Sequence, residues 1–280
     1  MNWRFERVRR NLGGMSDLSI IKDRQREMWA AGDYAAVATP LLITSELLCE
    51  AVDLRAGSRV LDVATGSGNT ALAAARRRCE TTGVDYVPAL LARARERAAA
   101  ERLDLRLEEG DMEALAFPDA AFDYVLSTFG VMFAPDQARA ARELVRVCRH
   151  GGRIGLVSWT PEGFVGQWFG ITARYAPPPS GTSSPLAWGT EAGLRELFGE
   201  AAPMRLEKRL YVLRYPSLRH WLAYFRENFG PTRQTFEALD EAGKERFAAD
   251  LLQLAARFNR SGDDTAVLPA EYLEAVIDRK

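Results

Sequence analysis

Between residues 59 and 159 the chain alternates strand-like and helix-like segments, and this alternation limits its fold more than any other feature. Short apolar, β-branched runs read as strands at 59–64, 80–84, 103–108, 122–128 and 153–159. Helical patterns lie between them at 69–78, 88–101 and 137–148. Strand–helix–strand units of this kind require a parallel sheet with helices on both faces. Two helices precede the block, at 17–31 and 34–54. After Trp159 the pattern changes. A Pro/Ser/Gly loop at 176–189 is followed by a helix at 190–199 and a strand at 204–213. Two aromatic-rich helices, 217–229 and 234–258, then lead to an edge strand at 272–278. The expected fold is α/β, with a mostly parallel seven-stranded sheet and a helical insertion before the last strand.

The expected organisation has four parts. Residues 1–16 form a flexible arm, 17–55 form helices that close the site, 56–216 with 268–280 form the core, and 217–267 form a helical lid. The first residues, MNWRFERVRRNLGG, carry four arginines but no apolar stretch of the signal-peptide kind. A formal net charge of -1 provides no basic field to hold nucleic acid, and no apolar run is long enough to span a bilayer. Cys49, Cys79 and Cys148 lie far apart without metal-ligand spacing. They read as buried thiols of a cytoplasmic protein, with no metal site and with a monomer or homodimer as the assembly.

The stretch LDVATGSGNT, 61–70, runs from a strand end through a tight glycine turn into a helix. Its glycines match G-x-G-x-x-A, a pattern shared by dinucleotide-binding turns. Asp62 argues for another ligand. A carboxylate four residues ahead of Gly66 would repel a diphosphate seated on the helix N-terminus. It would attract the ammonium and sulfonium of S-adenosylmethionine, which has no phosphate. The second strand ends in Asp85-Tyr86, and an acid there can accept hydrogen bonds from ribose hydroxyls. The third ends in Asp111-Met112, where a carboxylate can accept an adenine amino group or simply cap a turn. Three acids at three neighbouring strand ends line one crevice at the carboxyl edge of the sheet.

These stretches carry a family resemblance. VLDVATGSG (60–68), TGVDY (82–86), GDMEALAFPDAAFDYVLSTFG (110–130) and ARELVRVCRHGGRIGLVSW (141–159) follow in the order found in Rossmann-like class I S-adenosylmethionine-dependent methyltransferases. The closest resemblance is to the C-methyltransferases of ubiquinone and menaquinone biosynthesis. It implies S-adenosylmethionine as cofactor, with contacts at Asp62, Gly66, Ser67, Gly68, Asp85, Asp111, Met112 and Ser127 or Thr128. Ala64, where the family often has glycine, and Tyr86 complete the expected set. The quinone-enzyme resemblance ends at Trp159.

A methyl acceptor needs walls that align it and exclude water. Candidate wall residues are Tyr34, Trp159, Phe164, Trp188, Trp221 and Phe225. His220 is the candidate base, because the other histidine, His150, lies in a turn. The expected activity is methylation of a small aromatic or apolar molecule at O, N or C. Two readings compete: a binding module that has lost transfer, and an NAD-dependent oxidoreductase supported by the glycine pattern alone.

Overall fold

The computed structural model describes residues 17–179, 182–200 and 202–280. The arm expected over 1–16 lies outside them. Helices α1 (Asp17–Ala30), α2 (Tyr34–Ala38) and α3 (Leu42–Ala51) come first. Pro40 sits in a short 3-10 turn, so the single helix expected over 34–54 is two. The alternating block then supplies β1 (Arg59–Val63), α4 (Asn69–Arg76), β2 (Glu80–Asp85), α5 (Pro88–Glu101), β3 (Arg106–Glu109), β4 (Phe122–Thr128), α6 (Gln137–Val147) and β5 (Cys148–Trp159). Its parallel strands run β3-β2-β1-β4-β5 across the sheet. Val60, Leu61, Val63, Val125 and Leu126 are fully buried, as strands covered on both faces require.

Beyond β5 come α7 (Phe164–Tyr175), α8 (Glu191–Phe198), β6 (Met204–Tyr215), α9 (Leu218–Asn228), α10 (Gly230–Ala238), α11 (Glu241–Phe258) and β7 (Ala266–Asp278). The sheet is completed in the order β5-β7-β6, with β7 antiparallel to both neighbours. The last strand is therefore interior and longer than expected, and β6 is the edge. Pro269, Glu271 and Glu274 disguised β7. Pro269 falls where β7 has only β6 beside it, so its missing N–H costs no ladder bond toward β5. Glu274, 3% exposed, is paired with Arg209 Nε at 3.1 Å.

Helix α7 was not expected at all. Gly166 and Gly170 weaken its helical pattern, but Gly166 has a packing reason. A Cβ there would lie 2.1 Å from the Thr160 carbonyl oxygen. The helix expected over 234–258 divides into α10 and α11 at Asp240, whose carboxylate caps the Gly243 N–H at 2.7 Å. Among the described residues no helix is long and apolar enough to cross a membrane.

Candidate active site

The site is built on the turn after β1. Asp62 is buried near the strand end, and both of its protein hydrogen bonds fall on Oδ2. The Thr65 hydroxyl donates at 2.6 Å and the Ala71 N–H, in the first turns of α4, donates at 2.9 Å. Burial pushes the Asp62 carboxyl up to about 7 against the pull of those two donors, and Asp85 adds to the rise. Asp85 accepts the Gly66 N–H on Oδ2 at 2.8 Å and the Val87 N–H on Oδ1 at 2.9 Å. Burial raises it to about 6. Two buried carboxylates thus clamp the glycine turn between β1 and β2.

Two residues near this turn hold left-handed backbone conformations that side chains rarely adopt. Ala64 has φ of 54°, and Phe129, just past β4, has φ of 58°. Gly130 lets them meet, because a Cβ there would lie 2.6 Å from the Ala64 Cβ. The ring of Phe129 stacks on Trp159, with centroids 3.9 Å apart and planes within 11°. Strained backbone held this way concentrates where the fold must present a particular surface.

That surface separates two adjoining cavities. The first is lined by Asp62, Ala64, Thr65, Gly66, Ser67, Asn69, Thr70, Asp85, Tyr86, Val87, Leu90, Met112, Thr128 and Gly130. Among the described residues, no lysine, arginine or histidine lines it. The second is aromatic, with Trp159, Trp168, Phe169, Tyr211, Tyr215, Phe225 and Phe229 in its walls. Trp29, Tyr34, Leu41, Phe129 and Phe133 belong to both.

Of the expected cofactor residues, Asp62, Ala64, Gly66, Ser67, Asp85, Tyr86, Met112 and Thr128 line the first cavity. Gly68, Asp111 and Ser127 do not. Gly68, with φ of 88°, caps α4 where a Cβ would come 3.0 Å from that of Ala94. Ser127 is fully buried, donating to the Val63 carbonyl at 2.7 Å and accepting from the Val131 N–H at 3.0 Å. Asp111 is engaged by Lys22, and its Oδ1 accepts the Glu113 N–H.

Tyr34, Trp159 and Phe225 line the aromatic cavity as expected wall residues. Phe164, Trp188 and Trp221 do not; they are core side chains, each at most 1% exposed. Phe164 and Trp221 pack on each other at 5.3 Å, and Trp188 packs on Phe198. His220 is exposed and lines neither cavity, so the expected base is not at the site. Helix α9 turns its Trp221/Phe225 face inward, which carries His220 outward. Trp168 and Phe169 were missed with helix α7. Tyr211 and Tyr215 sit on β6, whose alternation gave no sign of a ligand face. Phe129 lies within the motif at 110–130 and Phe133 three residues beyond it, and neither is among the expected wall residues.

A cover of two pieces closes the cavities. One is α1–α2, which contributes Trp29 and Tyr34; the other is the α9–α10 junction, which contributes Phe229. Trp29 meets Tyr34, Phe133 and Phe229 with centroids 4.9–5.8 Å apart. The pieces touch through glycines. A Cβ on Gly230 would lie 1.9 Å from the Met28 carbonyl oxygen, and one on Gly32 would lie 2.8 Å from that of Asn228. Lys22 pins α1 to the core, bonding Asp111 at 2.6 Å and Glu113, only 2% exposed, at 2.5 Å. Lys22→Ala leaves the Glu113 carboxylate buried without its cation, at a cost of about 1–3 kcal/mol. The expected result is faster proteolytic cleavage in α1 and a lower Tm, read by limited proteolysis and calorimetry.

Comparison with known proteins agrees with this architecture. Residues 60–152 match a family model described as a methyltransferase domain. Uncharacterized protein Rv1405c of Mycobacterium tuberculosis is 39% identical over 261 residues, covering 91% of this chain and 94% of that one. The demethylmenaquinone methyltransferase of Deinococcus radiodurans is 39% identical over 127 residues, covering 44% of this chain and 53% of the relative. The YcgJ protein from Bacillus subtilis shares the fold, with a TM-score of 0.59 at 22% identity over 85% of this chain and 99% of its own. The chain belongs to the class I S-adenosylmethionine-dependent methyltransferases.

Proposed function

We propose that this chain transfers a methyl group from S-adenosylmethionine to a small aromatic or apolar molecule. The observation that carries the reading is a pair of joined cavities. One holds two buried carboxylates and, among the described residues, no cationic side chain, and the other is aromatic. The first suits a cationic ligand without phosphate and opposes a diphosphate, so the donor set fits S-adenosylmethionine and disfavours NAD. When bound, S-adenosylmethionine supplies an electrophilic methyl group on a sulfonium sulfur.

In this reading Asp62 receives the ligand's ammonium through Oδ1, since its protein bonds use Oδ2. Asp85 meets the ribose hydroxyls while holding the Gly66 N–H, and Tyr86, Leu90 and Met112 flank the adenine. Thr128 lies toward the methionine end. Gly68, Asp111 and Ser127 act as positioning residues, holding α4, the Met112 loop and the β4 turn. Trp29, Tyr34, Phe129 and Phe133 form the common wall along which an acceptor approaches the carbon in line with its bond to sulfur. The cover excludes water from that line. Three free, buried cysteines accord with a reducing, cytoplasmic setting.

Calorimetric titration with S-adenosylhomocysteine and with NAD tests the cofactor directly. We expect S-adenosylhomocysteine to bind and NAD not to bind. NAD binding without S-adenosylhomocysteine binding overturns the reading. Radiolabelled S-adenosylmethionine with a set of candidate acceptors separates an enzyme from a module that only binds.

A further inference from the structure

Among the described residues that line the aromatic cavity, none is a group that takes up a proton near neutral pH. Among the described residues its walls hold no Asp, Glu, His, Lys or Arg, and its only hydroxyls belong to Tyr34, Tyr211 and Tyr215. Burial holds all three phenols above their ordinary range, Tyr34 at about 12, with Asp85 adding to the rise. They can donate a hydrogen bond but cannot serve as bases. The groups behind the walls do not change this. His220 faces the ring of Tyr215 at 6.0 Å, and no hydrogen bond joins them among the described residues. Arg214 opposes the rise at Tyr211 without reversing it, and Tyr224 reinforces it at both Tyr211 and Tyr215. Asp33 acts on Tyr224, outside the wall. Asp62 and Asp85 belong to the other cavity, where backbone N–H groups hold them.

An acceptor in such a cavity must arrive able to react without help. We infer that it is a flat aromatic molecule bearing an acidic hydroxyl or thiol, a phenol or aryl thiol, that enters the reaction as its anion. This rests on the methyltransferase reading above. The lone pair of the oxygen or sulfur anion forms the new bond to the methyl carbon. The carbon–sulfonium bond breaks, and its electron pair returns to sulfur. Anion and sulfonium both become neutral, and the acceptor's proton has already gone to water. A low-dielectric enclosure favours an anion beside a sulfonium and favours their mutual neutralisation. An amine is the poorer acceptor here. An alkyl amine arrives at neutral pH as an ammonium, with no free lone pair and a charge that the sulfonium repels, and an aryl amine, though neutral, lacks the anion's attraction to the sulfonium.

The test uses 4-nitrophenol, whose anion absorbs in the visible, with the full chain at a pH below the dye's own pKa. One sample contains sinefungin, which carries an amine in place of the sulfonium, and the other contains S-adenosylhomocysteine, which is neutral at sulfur. The phenolate band of the bound dye is expected to be several-fold stronger with sinefungin. A second arm measures methylation of ring-substituted phenols and thiophenols across pH. The rising limb of kcat/KM is expected to move with each acceptor's own pKa. A bound dye that stays protonated in both samples overturns the inference. So does a limb that stays at one pH for every acceptor, which would reveal a base on the chain. Preference for amines, or no phenol or thiol bound or methylated, overturns it as well. Transfer to amines would leave the methyltransferase reading standing. That reading falls separately, if neither S-adenosylmethionine nor S-adenosylhomocysteine binds by calorimetry.

Discussion

In the Asp62→Asn protein, affinity for S-adenosylmethionine should fall roughly ten- to a hundred-fold, the loss expected for a charge-assisted hydrogen bond. The ligand-free chain should at the same time become more heat-stable above pH 7. Both effects come from one buried charge. Thr65 and Ala71 donate to a single oxygen of Asp62, so an asparagine carbonyl can keep both bonds. The other position becomes an amide that cannot accept from an ammonium. The carboxyl is about 7 in the folded chain and 3.8 by ordinary value. Between those values the folded state holds a proton that the unfolded chain has lost. This group's contribution to stability is therefore full below the ordinary value and lost as pH rises through about 7. Asparagine removes that loss, so its advantage appears above pH 7 and vanishes toward pH 4. Titration calorimetry at pH 8 and thermal melts from pH 5 to 8 check the two halves. Unchanged affinity for S-adenosylmethionine would dissociate Asp62 from the ligand.

The second large effect is expected from Gly230→Ala. The added methyl cannot occupy a point 1.9 Å from the Met28 carbonyl oxygen, so the two pieces of the cover must part. Overpacking of this kind costs about 1–3 kcal/mol. Because the contact belongs to the cover, we expect kcat/KM to fall roughly ten- to a hundred-fold, while Tm falls by only a few degrees. Limited proteolysis should show new cleavage between residues 30 and 34, where α1 gives way to α2. Gly170→Ala is the matched control. Gly170 is an exposed glycine within α7 whose Cβ position is open, and alanine there should be neutral or stabilise by about 0.5–1 kcal/mol. A Gly230→Ala protein with full activity would show that the cover is not needed for turnover.

The parts of this molecule that were legible in sequence are those written in contiguous residues. The parallel strands are buried on both faces, so their apolar runs stand out, and 122–128 was read to the residue. Asp62, Gly66 and Asp85 lie in two short turns, each of which carries its own chemistry. The aromatic cavity has no such contiguity. Its walls come from α1, α2, the turn after β4, β5, α7, β6, α9 and the α9–α10 junction, and only packing decides which aromatic of each element faces inward. Trp221 and Phe225 share a helical face, yet Phe225 reaches the cavity while Trp221 lies against Phe164 and Trp168. Trp168 itself went unread because two glycines masked its helix. Asp111 was read for its position at a strand end, while its partner Lys22 is 89 residues away and left no local trace.

The placement of β7 has a consequence for how the chain is made. Among the described residues β6 has β7 as its only neighbour in the sheet, and residues 216–265 separate the two strands. A ribosome emits about 5–20 residues per second, so β6 waits several seconds beside it with no strand to pair with. β5 waits still longer for its second neighbour. The parallel block, the glycine turn and Asp62 can assemble during synthesis, whereas β6 cannot join the sheet until β7 has emerged. Newly made chains should therefore pass through a stage in which the carboxylate-lined cavity around Asp62 is formed and the aromatic cavity, with Tyr211 and Tyr215 on an unpaired strand, is not.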